Sequence, residues 1–118
     1  LTHALMDALL GAAALGDIGK HFPDNDSAYK DIDSLLLLAK VGEILAARHY
    51  AVNNIDTTIV AQRPKLASYI PEMRAKIADV LNLELNKVSI KATTTEGLGF
   101  TGEGLGIAAY AVCTLTEI

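Results

Sequence analysis

The stretch 91–104, KATTTEGLGFTGEG, holds three consecutive hydroxyls at Thr93, Thr94 and Thr95, a carboxylate at Glu96, and glycines at 97, 99, 102 and 104. Hydroxyls and backbone amides in a row can meet phosphate oxygens, and a carboxylate beside them can hold a hard cation such as magnesium. Glycines let the backbone come close to a ligand or a neighbouring subunit. Thr93 and Glu96 also have the spacing of a helix capping box. The residues that follow, GLGFTGEGLG, form helix poorly, so a box there would cap nothing useful and the phosphate-and-cation reading is preferred.

Three other groups carry possible chemistry. His3 and Asp7 stand four apart, so on a helix they share a face, where an imidazole could ligate zinc with a carboxylate orienting it; a merely solvated polar face fits the same spacing. GDIGKHFPDND places Asp17, Asp24 and Asp26 among glycines and Pro23, a pattern able to hydrogen-bond sugar hydroxyls or help hold a divalent ion, though by itself it reads more simply as a turn-rich loop whose aspartates close Asx-turns. AQRPKLA, from Ala61 to Ala67, leaves a strand end with backbone constrained by Pro64; its free N–H and C=O groups could read the edge of a planar base, or simply connect two elements.

The elements that must position these groups follow from periodicity. Leu1, Leu5, Ala8, Ala12 and Leu15 alternate spacings of four and three and predict a first helix stopping near Gly16, its apolar face distinct from that of His3 and Asp7. A long loop follows through GDIGKHFPDNDSAYKD. Asp31 or Asp33 can cap a second helix whose face is Leu37, Leu38, Val41, Ile44 and Leu45, ending about Arg48. YAVNNIDTTIVAQ sets Ile55, Thr57 and Ile59 against Asp56, Thr58 and Val60, as a half-buried strand does. Ile70, Met73, Ile77 and Val80 define a third helix ending near Asn82. Two strands complete the chain, one with Val88, Ile90 and Ala92 on one side, the other with Ile107, Ala109, Ala111, Cys113 and Leu115 on one side. The order predicts an α+β sandwich, helices on one face of a mixed sheet, with a ferredoxin-like layout if further strands precede Leu1.

Composition bounds the rest. With 118 residues and 51% hydrophobic content the chain makes one domain, 1–118. A mean hydropathy of +0.30 implies more apolar surface than a monomer this size buries, and hence an oligomer. No apolar run is long enough for a membrane span, and a net charge of -4 disfavours a nucleic-acid partner. The single Cys113 has no internal disulfide partner, which suits a reducing cytoplasm. LTHALMDALL lacks a basic leader and begins as if inside a folded element, so an upstream segment is expected.

Taken together and in order, HALMDALLGAAALGDIGKHFPDND, DTTIVAQRPKL and KATTTEGLGFTGEGLGIAA resemble the 2-C-methyl-D-erythritol 2,4-cyclodiphosphate synthase family of the non-mevalonate isoprenoid pathway. GDIGKHFPD with KATTTE is the specific combination. The resemblance implies a homotrimer of ferredoxin-like subunits with active sites between subunits, and a lyase-type cyclisation of 4-diphosphocytidyl-2-C-methyl-D-erythritol 2-phosphate that expels CMP. It implies His3 as a ligand of zinc or another divalent transition metal and Glu96 as the ligand of Mg2+ or Mn2+. Thr94, with Thr93 and Thr95 beside it, would stabilise the transition state. Asp17, Ile18 and Gly19, with Phe22, Pro23, Asp24, Asn25 and Asp26, would line the methylerythritol pocket. Ala61, Gln62, Arg63, Pro64, Lys65, Leu66 and Ala67 would receive cytosine, and Phe100 would close over the ligand. Two departures stand out: the family's Asp-x-His zinc pair and its His-Ser segment have no counterpart in these residues, and Glu103 occupies a substrate-side position where many members are basic. The location implied is the bacterial cytoplasm, or the plastid for a plant chain. A non-catalytic trimeric binding domain, an inactive fragment, and one half of a chain fused to a cytidylyltransferase are the competing readings.

Overall fold

The computed structural model describes residues 1–23, 33–61, 67–94 and 107–118. The elements run α1 (Thr2–Ala12), α2 (Ile18–His21), α3 (Ser34–Ala47), β1 (Tyr50–Ala61), α4 (Ile70–Leu81), β2 (Val88–Thr93) and β3 (Ile107–Glu117), with 3-10 turns at Ala67–Tyr69 and Leu85–Lys87. The strands form one mixed sheet in the order β2-β1-β3, β1 parallel to β2 and antiparallel to β3. The α+β expectation therefore holds for the described residues. No helix among them is long and apolar enough to cross a membrane.

Local chemistry sets most boundaries. Asp33 caps α3, its Oδ1 accepting the Leu35 N–H at 2.7 Å, and this resolves the choice between Asp31 and Asp33. Pro71 sits in the first turn of α4, where its missing N–H costs no intrahelical bond. Asn82 ends that helix in the left-handed conformation at φ 55, which asparagine tolerates better than most side chains.

The core lies between the sheet and its helices. On β1 the inward residues Ile55, Thr57, Ile59 and Ala61 are buried while Asp56, Thr58 and Val60 are partly exposed, as the alternation predicted. Thr57 is the one buried polar residue among those described, and its hydroxyl is satisfied by donating to the Ser89 carbonyl at 3.1 Å. Arg74 of α4 reaches across to the start of β2, donating from Nε to the Val88 carbonyl at 2.8 Å and from a terminal nitrogen to the Leu85 carbonyl at 3.0 Å. That fork fixes where β2 begins relative to α4.

Three expectations need correction. The buried stripe of α1 is Leu5, Met6, Leu9 and Leu10, whereas Ala8 is only partly buried and Ala12 is exposed. Both β3 and α3 pack on α1, so two adjacent rows are covered instead of one, and Leu15 has already left the helix. The long loop after α1 contains the short helix α2, started by an aspartate cap. Ala92 faces the same side as Val88 and Ile90 but is exposed, because it lies at the end of the sheet where helical cover stops.

The opposite face of the sheet carries no helix among the described residues. It presents Asp56, Thr58 and Val60 of β1, Tyr110, Val112 and Thr114 of β3, and Ser89, Lys91 and Thr93 of β2. Tyr110 is 64% and Val112 69% exposed there. Beside them Lys91 Nζ pairs with Asp56 Oδ2 at 3.0 Å. The hydrogen bond from Lys91 holds the Asp56 carboxyl below its ordinary 3.8. A carboxyl depressed in this way stabilises the fold above its unfolded value, and the contribution disappears as pH falls through the folded value. Urea unfolding at about pH 5 and about pH 3 should therefore find that Asp56→Asn loses less stability between the two than the parent chain does. Equal losses would remove the pair from the acid response.

Candidate active site

The candidate residues fall into two groups, each positioned by backbone geometry. The first is the turn between α1 and α2. Ala14 at φ 58 and Gly16 at φ 91 reverse the chain after α1, and a Cβ at residue 16 would also press on Lys20 Cδ at 3.1 Å, so glycine suits that corner. Asp17 caps α2 by accepting the Lys20 N–H at 3.0 Å. His21 Nε2 is 2.8 Å from the Leu15 carbonyl, which closes the turn as a small loop. The His21 and Phe22 rings sit tilted with centroids 6.3 Å apart. Asp17 and Gly19 are exposed, and Ile18, Phe22 and Pro23 are half-buried, so this group presents polar backbone over an apolar base.

The same turn is held from outside. Asp7 Oδ1 accepts the Ile18 N–H at 2.8 Å. Spacing put His3 and Asp7 on one helix face, either as a metal ligand with its orienting carboxylate or as a merely solvated face; among the described residues no hydrogen bond joins the two, and both side chains stand on the exposed side of α1. Spacing alone could not reveal this partner, because it lies across a left-handed turn.

The second group is at one end of the sheet. Val60 pairs with Thr93 and Ala61 with Ile107, so the chain leaves β1 after Ala61, leaves β2 after Thr93 and enters β3 at Ile107 side by side. Ligands in open sheets with parallel strands collect beyond the carboxyl ends of those strands, where the loops diverge. Thr93 and Thr94 are exposed there, and Thr93 Oγ1 lies 3.4 Å from the Thr94 carbonyl. Ala67 opens the 3-10 turn on the far side of the Ala61 connection. Asp24, Asn25, Asp26, Gln62, Arg63, Pro64, Lys65, Leu66, Thr95, Glu96, Phe100 and Glu103 lie outside the described residues. The structure thus brings the Ala61 and Thr93 segments together and holds Asp17, Ile18 and Gly19 with Phe22 and Pro23 in a separate turn anchored to the helix that bears His3.

An imidazole suits a transition metal and a carboxylate suits a hard divalent cation, so His3 and Glu96 match the expected ions in kind. Among the described residues no three His, Cys, Asp or Glu side chains converge on a common point. Cys113 is half-buried in β3, and burial raises its thiol, which leaves it a poor thiolate donor.

Comparison with known proteins places this arrangement. The YgbB family model matches residues 1–116. A 2-C-methyl-D-erythritol 2,4-cyclodiphosphate synthase from Clostridium perfringens is 59% identical over 117 residues, which is 99% of this chain and 75% of that protein. The protein of the same name from Desulforamulus reducens is 62% identical over 117 residues, 99% of this chain and 74% of its own. Among solved structures, the bifunctional IspDF from Campylobacter jejuni superposes with a TM-score of 0.95 at 40% identity, covering 100% of this chain and 32% of that one. A Plasmodium falciparum IspF in complex with CDP gives 0.85 at 30% identity, covering 98% of this chain and 69% of that one.

Proposed function

Since the chain belongs to the YgbB family, whose model matches residues 1–116, we propose how its residues divide the work of cyclodiphosphate synthesis. The enzyme is a lyase of isoprenoid biosynthesis. It closes 4-diphosphocytidyl-2-C-methyl-D-erythritol 2-phosphate into 2-C-methyl-D-erythritol 2,4-cyclodiphosphate. An oxygen of the 2-phosphate attacks the β-phosphorus, the bond from that phosphorus to the bridging oxygen breaks, and CMP leaves with the bridging oxygen and its electron pair.

Such a reaction needs two anionic groups of one substrate held close and in line, so the protein contributes position and charge neutralisation more than covalent chemistry. Asp17, Ile18, Gly19 and the residues Phe22 to Asp26 line the methylerythritol end. Backbone groups from Ala61 to Ala67, with Lys65 and Leu66, hold the cytosine end, and Phe100 closes over the nucleotide. Thr94, flanked by Thr93 and Thr95, donates to the phosphoryl oxygens as charge builds there. Glu103, on the substrate side where many members carry a basic residue, would not supply a cationic phosphate contact. His3 would hold zinc or another divalent transition metal and Glu96 would hold Mg2+ or Mn2+; when bound, such ions offset the charge on the two phosphate groups. The observation that supports this reading is the Val60–Thr93 register, which sets the threonine-bearing end of β2 beside the end of β1, from which the segment proposed to hold cytosine departs.

The homotrimer belongs to the same proposal. The bare sheet face with Tyr110 and Val112 is the surface it would cover, and a further strand on the sheet would complete the ferredoxin-like layout. Active sites then lie between subunits. The test is direct: phosphorus NMR of purified protein with the diphosphocytidyl substrate and divalent metal should follow CMP and the cyclic diphosphate appearing together, and both should stop on chelation. Absence of the cyclic product with metal supplied would overturn the assignment.

Gly19 supplies a sharper test of the pocket. A Cβ there would meet only Asp17 Oδ1, at the ordinary distance of 3.5 Å, so the fold itself does not demand glycine. Alanine also suits a helical position better by roughly 0.5–1 kcal/mol. Gly19→Ala should match or exceed the parent in thermal stability while its KM for the substrate rises about tenfold, as expected where a methyl group intrudes on a ligand. An unchanged KM would place the substrate elsewhere.

A further inference from the structure

We propose that Asp7 is a positioning residue for the sugar-side pocket, acting as the hydrogen-bond acceptor that fixes Ile18 and Gly19 relative to α1. The identity of the ligand rests on the function proposed above; the anchoring does not.

The backbone between Ala12 and Ile18 passes through two left-handed residues, Ala14 at φ 58 and Gly16 at φ 91. A turn of that kind can pivot unless its far side is tied down. Two of its side-chain hydrogen bonds, Asp17 to the Lys20 N–H and His21 to the Leu15 carbonyl, begin and end within the segment and so shape it without placing it. Backbone bonds to the end of α1 hold its near side, with Ala14 N–H donating to the Gly11 carbonyl and Leu15 N–H to the Leu10 carbonyl. Asp7 is different: its carboxylate lies a full turn back along α1 and accepts from Ile18 at 2.8 Å, beyond both left-handed residues.

Its own position is fixed by α1, whose Leu5, Met6, Leu9 and Leu10 are completely buried. The bond therefore carries the rigid placement of α1 against β3 out to the first residues of α2. It also satisfies a donor that α2 cannot, since the Ile18 N–H is one of the unpaired amides at a helix start. An acceptor that is ionised makes such a bond shorter and stronger than a neutral one.

The experiment compares Asp7→Ala with Asp7→Asn in the complete protein. Asparagine keeps an acceptor oxygen in the same place and removes the charge. Asp7→Ala should raise KM for the diphosphocytidyl substrate roughly tenfold, as loss of one well-made charged hydrogen bond allows, with kcat little changed. Its affinity for CDP, which lacks the methylerythritol, should stay at the parent value by calorimetry. Asp7→Asn should recover most of the parent KM. Amide hydrogen exchange at Ile18 should quicken in Asp7→Ala and slow again in Asp7→Asn, and this readout stands whether or not the protein turns the substrate over.

Parent protein that is inactive yet displays the exchange pattern would overturn the function and leave the anchor. Asp7→Asn as impaired as Asp7→Ala would overturn the anchor, because the charge and not the acceptor would then matter, as expected for a carboxylate serving His3. A fall in CDP affinity matching the rise in KM would also overturn it, since the damage would not be confined to the sugar end.

Discussion

Glu96→Gln is expected to keep the fold and assembly of the parent while lowering kcat by about two to three orders of magnitude. The substitution is nearly isosteric and changes one property, the negative charge that makes a carboxylate a much stronger ligand of a hard cation than a neutral amide oxygen. Glu96 follows Thr93 to Thr95 directly in the sequence, and β2 delivers Thr93 to the end of the sheet opposite Val60. A cation held there would neutralise the diphosphate at the atoms that react, so its loss should appear mainly in turnover and less in nucleotide affinity. Rates followed by phosphorus NMR, thermal melts and CDP titration separate these effects. Activity within twofold of the parent would remove Glu96 from the reaction.

The second large effect concerns the uncovered sheet face. If the proposed homotrimer forms through this face, Val112→Asp should leave monomers in light scattering and cut activity at least roughly a hundredfold at assay concentrations. Val112 is 69% exposed in the single chain, so the subunit itself should tolerate the carboxylate at a cost of about 1 kcal/mol or less, including repulsion from Asp56 across the strand pair. In an assembly the same group would be buried without a partner, which costs about 3–5 kcal/mol each time. Loss of activity would follow from loss of the neighbouring subunit's share of the site. A trimer that persists in Val112→Asp would assign the interface to another surface.

Motif and periodicity reached far into this protein because both depend on residues close in sequence. The alternation of Ile55, Thr57 and Ile59 against Asp56, Thr58 and Val60 is the two-residue repeat of a half-covered strand, and the structure buries the first set and leaves the second partly exposed. An aspartate at 31 or 33 before a leucine run and Asn82 after the last apolar residue of a stripe are local solutions to unpaired backbone groups, readable without a fold, although the choice of Asp33 needed the structure. The family membership came from the same source, through GDIGKHFPD and KATTTE at their places in the chain. Where periodicity misled, on α1, the stripe of Leu1, Leu5, Ala8, Ala12 and Leu15 took one covering surface for granted, whereas β3 and α3 cover the helix together.

The amino-acid sequence by itself determined the types of the longer elements, most of their ends, the family and the kinds of side chain available for chemistry, since each depends on near neighbours in the chain. Tertiary structure decided which rows of α1 are buried, that Val60 lies opposite Thr93, and that Asp7 holds Ile18 instead of turning to His3. Those facts join residues through a parallel strand register and across a left-handed turn. Both are set by how helices settle on the sheet, a property of packing that no spacing along the chain records.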